Sequence, residues 1–178
     1  NKHANPQSDM EASRALLLLR DGLEEIQSKP QDLRRREQLL KGANHAGLAF
    51  AQTKTAIAHS LSYPLTSVLS IEHGVATGFS LAEIFRMVAT HNPERAEIIS
   101  KALGEKNHDS CYKSLLNLLR KSGIKQELSS FIRSANNLEQ IKSKLITPAR
   151  ADNFILPCNE EEAFTIMNNA LFALGIRF

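Results

Sequence analysis

Two histidines, His59 and His73, stand fourteen positions apart around a segment with a single proline and almost no charge, AHSLSYPLTSVLSIEHG. Neutral imidazoles are common ligands of transition metals, so the pair could hold one metal ion. The spacing alone fits two unrelated structural histidines equally well, because short metal motifs place histidines four residues apart on one helix or pair them with cysteines. The surrounding residues must decide between these alternatives.

The composition is that of an ordinary globular chain. Its 178 residues suffice for one domain, and 42% apolar with 23% charged residues argues against disorder. No apolar run approaches the roughly 20 residues of a membrane span, and the start, NKHANPQSD, lacks the apolar core of a signal peptide. Cys111 and Cys158 lack CxxC spacing. The sequence therefore predicts a cytoplasmic domain with free thiols and no membrane partner.

The basic residues raise the question of a nucleic-acid partner. The net charge is +3, and the densest basic run is Arg34, Arg35 and Arg36. Three consecutive arginines on a helix spread around its circumference, and Glu37 follows at once, which favours a solvated face. The chain has two tyrosines and no tryptophan, so few aromatic rings are available to stack on bases. We expect no nucleic-acid partner.

Helix signals dominate the first third of the chain. The S-x-x-E pattern that begins at Ser8 has the form of a capping box, and the spacing after it predicts a first helix as far as Lys29-Pro30. A second helix is expected from about Asp32 to His59. The small residues in its middle suggest that another backbone or a ligand approaches closely. A break is expected at Tyr63-Pro64.

The remainder also predicts helices, and strand alternation is hard to find. A buried helix is expected from about Glu72 to Thr90, and further helices are expected at 93–104, 110–122, 125–134, 138–144 and 159–174. We predict an all-α fold, a multi-helix bundle that forms one domain over residues 1–178. His59 would end the second helix and His73 begin the buried one, so the loop between them could aim both imidazoles into one cleft.

The run GLAFAQTKTAIAHSLSYPLTSVLSIEHGVATGFSL resembles the core of the helical C-terminal domain of the iron-containing, group III, alcohol dehydrogenases. That family carries AG-x-AF, a histidine nine residues after the Phe, and a His-Gly fourteen residues later. Phe50, His59, His73 and Gly74 occupy these positions. The resemblance covers about residues 1–103 and implies the C-terminal helical domain of the dehydroquinate synthase-like fold.

The resemblance implies a metal-dependent oxidoreductase. Family members join a nucleotide-binding domain to this helical domain and pass hydride between NAD or NADP and a small alcohol or aldehyde at one divalent metal ion. His59 and His73 would be two metal ligands, with an Asp and a His from a D-A-x-x-H helix as the others. Their ring nitrogens should then lie roughly 3 to 5 Å apart. Imidazole suits Fe(II) and Zn(II) alike.

The D-A-x-x-H motif and a glycine-rich phosphate loop are both missing from these residues. We therefore expect the chain to be the C-terminal domain of a longer enzyme. It would be inactive alone and would have its own N-terminal nucleotide-binding domain as a partner. The oligomeric state is open, with a homodimer among the options.

Three further residues receive roles from the resemblance. Many members carry a second histidine at the position of Tyr63. With tyrosine there, the segment HSLSYPLTS is similar to the members that reduce phosphonoacetaldehyde. Tyr63 would hydrogen-bond a substrate or a metal-bound water, or else simply pack on Pro64. Phe50 would lie on the substrate side of the cleft, or else in the core. Lys54 would bind the anionic end of a small aldehyde, or else be a surface lysine; on a continuous helix it lies about 140° around from His59.

The other candidate residues favour structural roles. His45, His91 and His108 are expected to be packed, capping or surface residues, and Cys111 is expected to be structural. The competing interpretation of the whole chain is a non-catalytic helical module that binds a partner protein. That interpretation predicts no metal site.

Overall fold

The computed structural model describes all of residues 1–178 and contains helices and no strand, as the all-α prediction requires. No helix combines the length and the apolar character needed to cross a membrane. The α-helices are α1 (Pro6–Ile26), α2 (Leu33–Thr53), α3 (Ile57–Ser67), α4 (His73–Gly78), α5 (Leu81–His91), α6 (Pro93–Ala102), α7 (His108–Lys121), α8 (Ile124–Phe131), α9 (Ala135–Glu139), α10 (Pro148–Ala151) and α11 (Glu160–Ala173), with a 3-10 turn at Lys142–Lys144 between α9 and α10.

Helices α1 and α2 form an antiparallel hairpin with a tight seam. A Cβ atom added to Gly42 would lie 2.8 Å from Leu19 Cγ, so only a glycine lets the two helices approach this closely. The close approach expected among the small residues is confirmed at this position. The first helix begins earlier than predicted: Asn5 is its cap, and Ser8 is the third helical residue that completes the capping box with Asn5.

The second predicted helix stops before His59. Helix α2 ends at Thr53, Lys54 has φ of 61°, and α3 begins at Ile57. The break expected at Tyr63-Pro64 is wrong as well, because Pro64 lies buried inside α3. Local propensity is overridden at both places: the Asn1 side chain binds the Lys54 carbonyl at 3.0 Å, and packing of α3 into the core outweighs the amide hydrogen bond that proline cannot make.

The helix predicted over residues 72–90 also differs from the observed structure. The single helix expected over 72–90 is two helices, α4 and α5, because Phe79 turns into the core between them and is 1% exposed. Other boundaries follow local rules. Asn92 caps α6 and Asn159 caps α11, and Gly175 has positive φ just beyond the end of α11.

A single hydrophobic cluster runs from Ile57 to Ile176 and holds α3 at its centre. Ile57, Leu61 and Leu65 are each at most 1% exposed and follow one another at four-residue spacing along α3. The buried residues of the α1–α2 hairpin, such as Ala15 and Ala49, lie outside this cluster. His59, two positions after Ile57, therefore lies on a helix whose inner face is almost fully buried in the core.

Candidate metal centre

Helices α3 and α4 bring His59 and His73 together. His59 is the third residue of α3, and His73 is the first residue of α4. The chain reverses between the helices at Ser70, which has φ of 58°. The ring centroids of the two histidines lie 5.5 Å apart, with an angle of 62° between the ring planes. The two imidazoles therefore lie side by side in an edge-to-face arrangement.

The environment favours the uncharged form of His59. Its partial burial lowers the pKa of the imidazole below the ordinary value, and the nearby charges of His73 and Arg150 lower this pKa further. Only a neutral imidazole has a free lone pair for a metal ion. Beside the second ring, Thr77 Oγ1 lies 3.5 Å from His73 Nε2 and donates a hydrogen bond to the His73 carbonyl at 2.8 Å.

The separation of the two rings suits a shared metal ion. Imidazole nitrogens bind Zn²⁺ at about 2.0–2.1 Å, so two rings on one tetrahedral ion have centroids roughly 5 Å apart. The observed 5.5 Å is close to this value. No group of three or more His, Cys, Asp or Glu side chains in this chain is placed to hold a metal ion. A metal ion at this pair would therefore need further ligands from outside these residues.

Arg150 also lies beside the two histidines, although no sequence motif pointed to it. Its guanidinium carbon lies 4.2 Å from the ring centroid of Tyr63, which follows His59 by one helical turn on α3. The same guanidinium contributes to the lowered pKa of His59. His59, His73, Tyr63 and Arg150, which we call the histidine cluster, therefore come together from α3, α4 and α10.

Two buried polar residues fix α10 beside α3. Ser60 Oγ donates a hydrogen bond to the Leu145 carbonyl at 2.7 Å and accepts one from the Thr147 amide at 2.7 Å. At the other end of α10, Asn153 Nδ2 donates to the Thr55 carbonyl at 2.9 Å. Both side chains are buried, so these bonds are protected from water. Arg150 lies between the two anchors.

The structure does not join Phe50 or Lys54 to the histidine cluster. Phe50 is 53% exposed, which rules out the core position, and it lines a groove between α1, α2 and α6 that contains neither histidine. Lys54 is exposed at the end of α2. The angle of 140° expected between Lys54 and His59 was wrong, because no continuous helix connects them. The binding roles of both residues stay predictions.

The other histidines and the cysteines have structural surroundings. His45 Nδ1 lies 2.5 Å from Glu11 Oε2, and His91 Nδ1 lies 2.9 Å from the Met87 carbonyl. The His108 ring meets Phe85 edge-on. Cys111 is fully buried and Cys158 partly buried, and both thiols are free, as predicted. None of these residues lies in the histidine cluster.

The chain is similar in sequence to known iron-containing alcohol dehydrogenases. The profile of the Fe-containing alcohol dehydrogenase family, C-terminal region, matches residues 1–171. A 4-hydroxybutyrate dehydrogenase of Clostridium kluyveri is 28% identical over 150 residues, which cover 81% of this chain and 40% of that protein. A phosphonoacetaldehyde reductase of Streptomyces viridochromogenes is 34% identical over 83 residues, covering 47% of this chain and 21% of that protein.

A solved structure shares the fold. The sulfoacetaldehyde reductase of Bifidobacterium kashiwanohense, crystallised in complex with NAD⁺, superposes with a TM-score of 0.84 at 23% identity. The match covers 95% of this chain and 45% of that one. The chain thus spans less than half the length of the relatives and the structure it matches.

Proposed function

The chain belongs to the Fe-containing alcohol dehydrogenase family, and on that basis we propose that it is the metal-binding domain of an NAD(P)-dependent enzyme that interconverts an alcohol and an aldehyde. The observation that supports this function best is the approach of His59 and His73, with ring centroids 5.5 Å apart. Two imidazoles held close together on two packed helices are suited to a divalent metal ion.

His59 and His73 would hold the metal through their ring nitrogens, and the remaining ligands would be the Asp and the His of a D-A-x-x-H helix elsewhere in the parent protein. The ion would be Fe(II) or Zn(II), since imidazole accepts both. When bound, the cation polarises the substrate oxygen, and NAD or NADP exchanges the hydride. The lowered pKa of His59 keeps this ligand neutral at neutral pH, so binding a metal needs no prior loss of a proton from that ring.

Tyr63 would orient the substrate through its hydroxyl. The residue lies one helical turn beyond His59 on α3, so its side chain projects from the same face. Arg150 covers one face of the phenol ring and limits the positions that the ring can take. A hydroxyl held in this way can donate a hydrogen bond to a substrate oxygen beside the two histidines.

The substrate would be a small alcohol or aldehyde with an anionic group at its other end, of the phosphonoacetaldehyde type. The names of two relatives support this proposal: 4-hydroxybutyrate carries a carboxylate, and phosphonoacetaldehyde carries a phosphonate. Lys54 remains one proposed partner of the anionic end. Phe50 would contribute to the apolar side of the substrate site across the cleft.

The test is metal content and turnover in the parent protein. We expect wild type to retain about one Fe or Zn per chain by mass spectrometry and to oxidise short alcohols with NAD or NADP, and His59→Ala or His73→Ala to lose both properties. His91→Ala is the matched control, because His91 is exposed and contacts only a helix carbonyl. The competing class, a protein-interaction module, predicts neither metal nor turnover in any variant. It also predicts no D-A-x-x-H motif within about 20 residues upstream.

A further inference from the structure

The guanidinium of Arg150 has no hydrogen-bond acceptor within the chain. It forms no ion pair and no side-chain hydrogen bond, and its contact is the face of the Tyr63 ring. Arg95 shows the contrast, because two of its nitrogens each bind Asp9 at 2.7 Å. Stacking on an aromatic face leaves the N–H groups at the edge of the guanidinium free to donate. Arg150 is therefore a half-buried cation whose N–H donors have no acceptor in the chain.

The position of Arg150 is fixed before any ligand binds. The two anchors described above, Ser60 and Asn153, hold the backbone on either side of the residue. The Tyr63 ring then supports the flat face of the guanidinium at 4.2 Å. Little side-chain entropy remains to be lost when an anion binds, which favours binding.

The electrostatics of the histidine cluster favour an anion. No ion pair joins Arg150, His59 or His73 to a carboxylate, so the guanidinium has no anionic partner in direct contact. A divalent cation on the two imidazoles would add further positive charge. The influence of Arg150 on the pKa of His59 indicates that the guanidinium and the imidazole lie within electrostatic reach of one another.

We propose that Arg150 binds the carboxylate or phosphonate of a small bifunctional substrate whose alcohol or aldehyde oxygen lies beside His59 and His73. This inference rests on the function proposed above and assigns the anion to Arg150 rather than to Lys54. A guanidinium offers two parallel N–H donors that match two oxygens of either anion. Tyr63, whose ring lies against the guanidinium, is one helical turn from His59, so Arg150 and the two histidines border the same face of α3.

The experiment compares charged and uncharged substrates in the full-length, metal-loaded enzyme. Phosphonoacetaldehyde and succinate semialdehyde are the charged probes, and propanal and butanal are the uncharged probes of similar length. We expect Arg150→Gln to raise KM for a charged probe about 10- to 100-fold and to change KM for the uncharged probes less than about threefold. Arg150→Lys should recover part of the loss, because it restores the charge without the fork of donors.

Arg177→Gln is the matched control. Arg177 also lies over an aromatic ring, that of Phe172, at 4.9 Å, and it is outside the histidine cluster. This variant should leave all four substrates unchanged. Thermal unfolding of each variant checks that the fold is kept. Equal losses for charged and uncharged aldehydes in Arg150→Gln, or a selective loss in Lys54→Met alone, would overturn the assignment.

Direct binding separates this inference from the proposed function. Calorimetry with methylphosphonate and with butyrate measures anion binding without turnover, and the two probes distinguish a phosphonate from a carboxylate site. Binding of either anion to wild type that is weakened at least tenfold in Arg150→Gln supports the inference, even where neither aldehyde is reduced. Full turnover of uncharged aldehydes with no Arg150-dependent anion binding keeps the proposed function and removes the inference.

Discussion

The hydroxyl of Ser60 binds the carbonyl of Leu145 across 85 positions of sequence, at 2.7 Å, in a place where Ser60 is 0% exposed. The same oxygen accepts the amide of Thr147 at 2.7 Å. One side chain therefore satisfies two backbone groups that would otherwise be buried without partners, and it ties α10 to the helix that carries His59.

Replacing Ser60 with alanine should lower the free energy of unfolding by about 1–3 kcal/mol, because a buried carbonyl and a buried amide lose their partner. Urea unfolding followed by circular dichroism measures the change. Ser130→Ala is the control, since the exposed Ser130 hydroxyl donates only to the Glu127 carbonyl within α8. A Ser60 variant as stable as this control would show that water replaces the lost hydroxyl.

Replacing either of two glycines of α2 with alanine should change the stability of the protein, in opposite directions at the two positions. Gly42→Ala places a methyl group 2.8 Å from Leu19 Cγ and should destabilise the protein by about 1–3 kcal/mol. Gly47→Ala lies on the same helix with no atom within 4 Å and should stabilise it by about 0.5–1 kcal/mol. Thermal melting distinguishes the two, and equal shifts would contradict the packing described for the hairpin.

The ion pair of Asp9 and Arg95 predicts a pH dependence of stability. The Arg95 guanidinium, through its hydrogen bonds, holds the pKa of Asp9 below its ordinary value of about 3.9. A carboxyl with a lowered pKa in the folded state stabilises that state above the unfolded pKa and loses this contribution as the pH falls through the folded value. Asp9→Asn should therefore destabilise at pH 7 and have a shrinking effect below about pH 4.

Urea midpoints of wild type and Asp9→Asn at pH 7, pH 4 and pH 2.5 test this pH dependence. The control is Glu37→Gln, which removes an exposed carboxylate paired with Lys41 and should leave the midpoint unchanged at pH 7. If the urea midpoints of wild type and Asp9→Asn differ by the same amount at every pH, the effect comes from packing of the side chain rather than from its charge.

Tyr63→Phe should reduce kcat of the full-length enzyme about tenfold, because the substrate loses one hydrogen bond while the ring that supports Arg150 remains. The control is Tyr112→Phe. Burial and the neighbouring Glu83 carboxylate raise the pKa of Tyr112 to about 12, and its hydroxyl donates to Glu83 at 2.6 Å away from the histidine cluster. That variant should lose stability and keep kcat; unchanged kinetics in Tyr63→Phe would assign Tyr63 to packing.

Lys54→Met tests the remaining proposal for the anionic end of the substrate. Because the anionic end is assigned to Arg150, we expect Lys54→Met to keep KM for phosphonoacetaldehyde and for propanal within about twofold of wild type. A rise of at least about fivefold for phosphonoacetaldehyde alone would return the anionic end to Lys54. Equal losses for both aldehydes, or none, remove Lys54 from the substrate site. Lys54 has a left-handed φ, which methionine tolerates poorly, so Lys54→Met could also strain the backbone. Lys54→Asn removes the charge with a residue that tolerates this conformation, and it is measured in parallel.

Local rules account for what could be predicted from the sequence. The caps at Asn92 and Asn159 and the end of the last helix at Gly175 depend on residues within one turn, and all appear in the structure. The break at Lys54 depends on Asn1, and the buried position of Pro64 depends on the whole core, so periodicity placed both wrongly. Motif spacing selected His59 and His73, but Arg150 reaches Tyr63 only through tertiary contacts that no local pattern records.

The hydrogen bonds that hold the histidine cluster in place join residues far apart in the sequence, and such contacts form late in folding. The α1–α2 hairpin closes over a short loop and pairs near neighbours, whereas Ser60 meets Leu145 across 85 positions and Asn153 meets Thr55 across 98. Closing long loops costs more chain entropy and slows folding. The hairpin should thus become protected from amide hydrogen exchange early in refolding, and the part of the chain that positions His59 and Arg150 should become protected last.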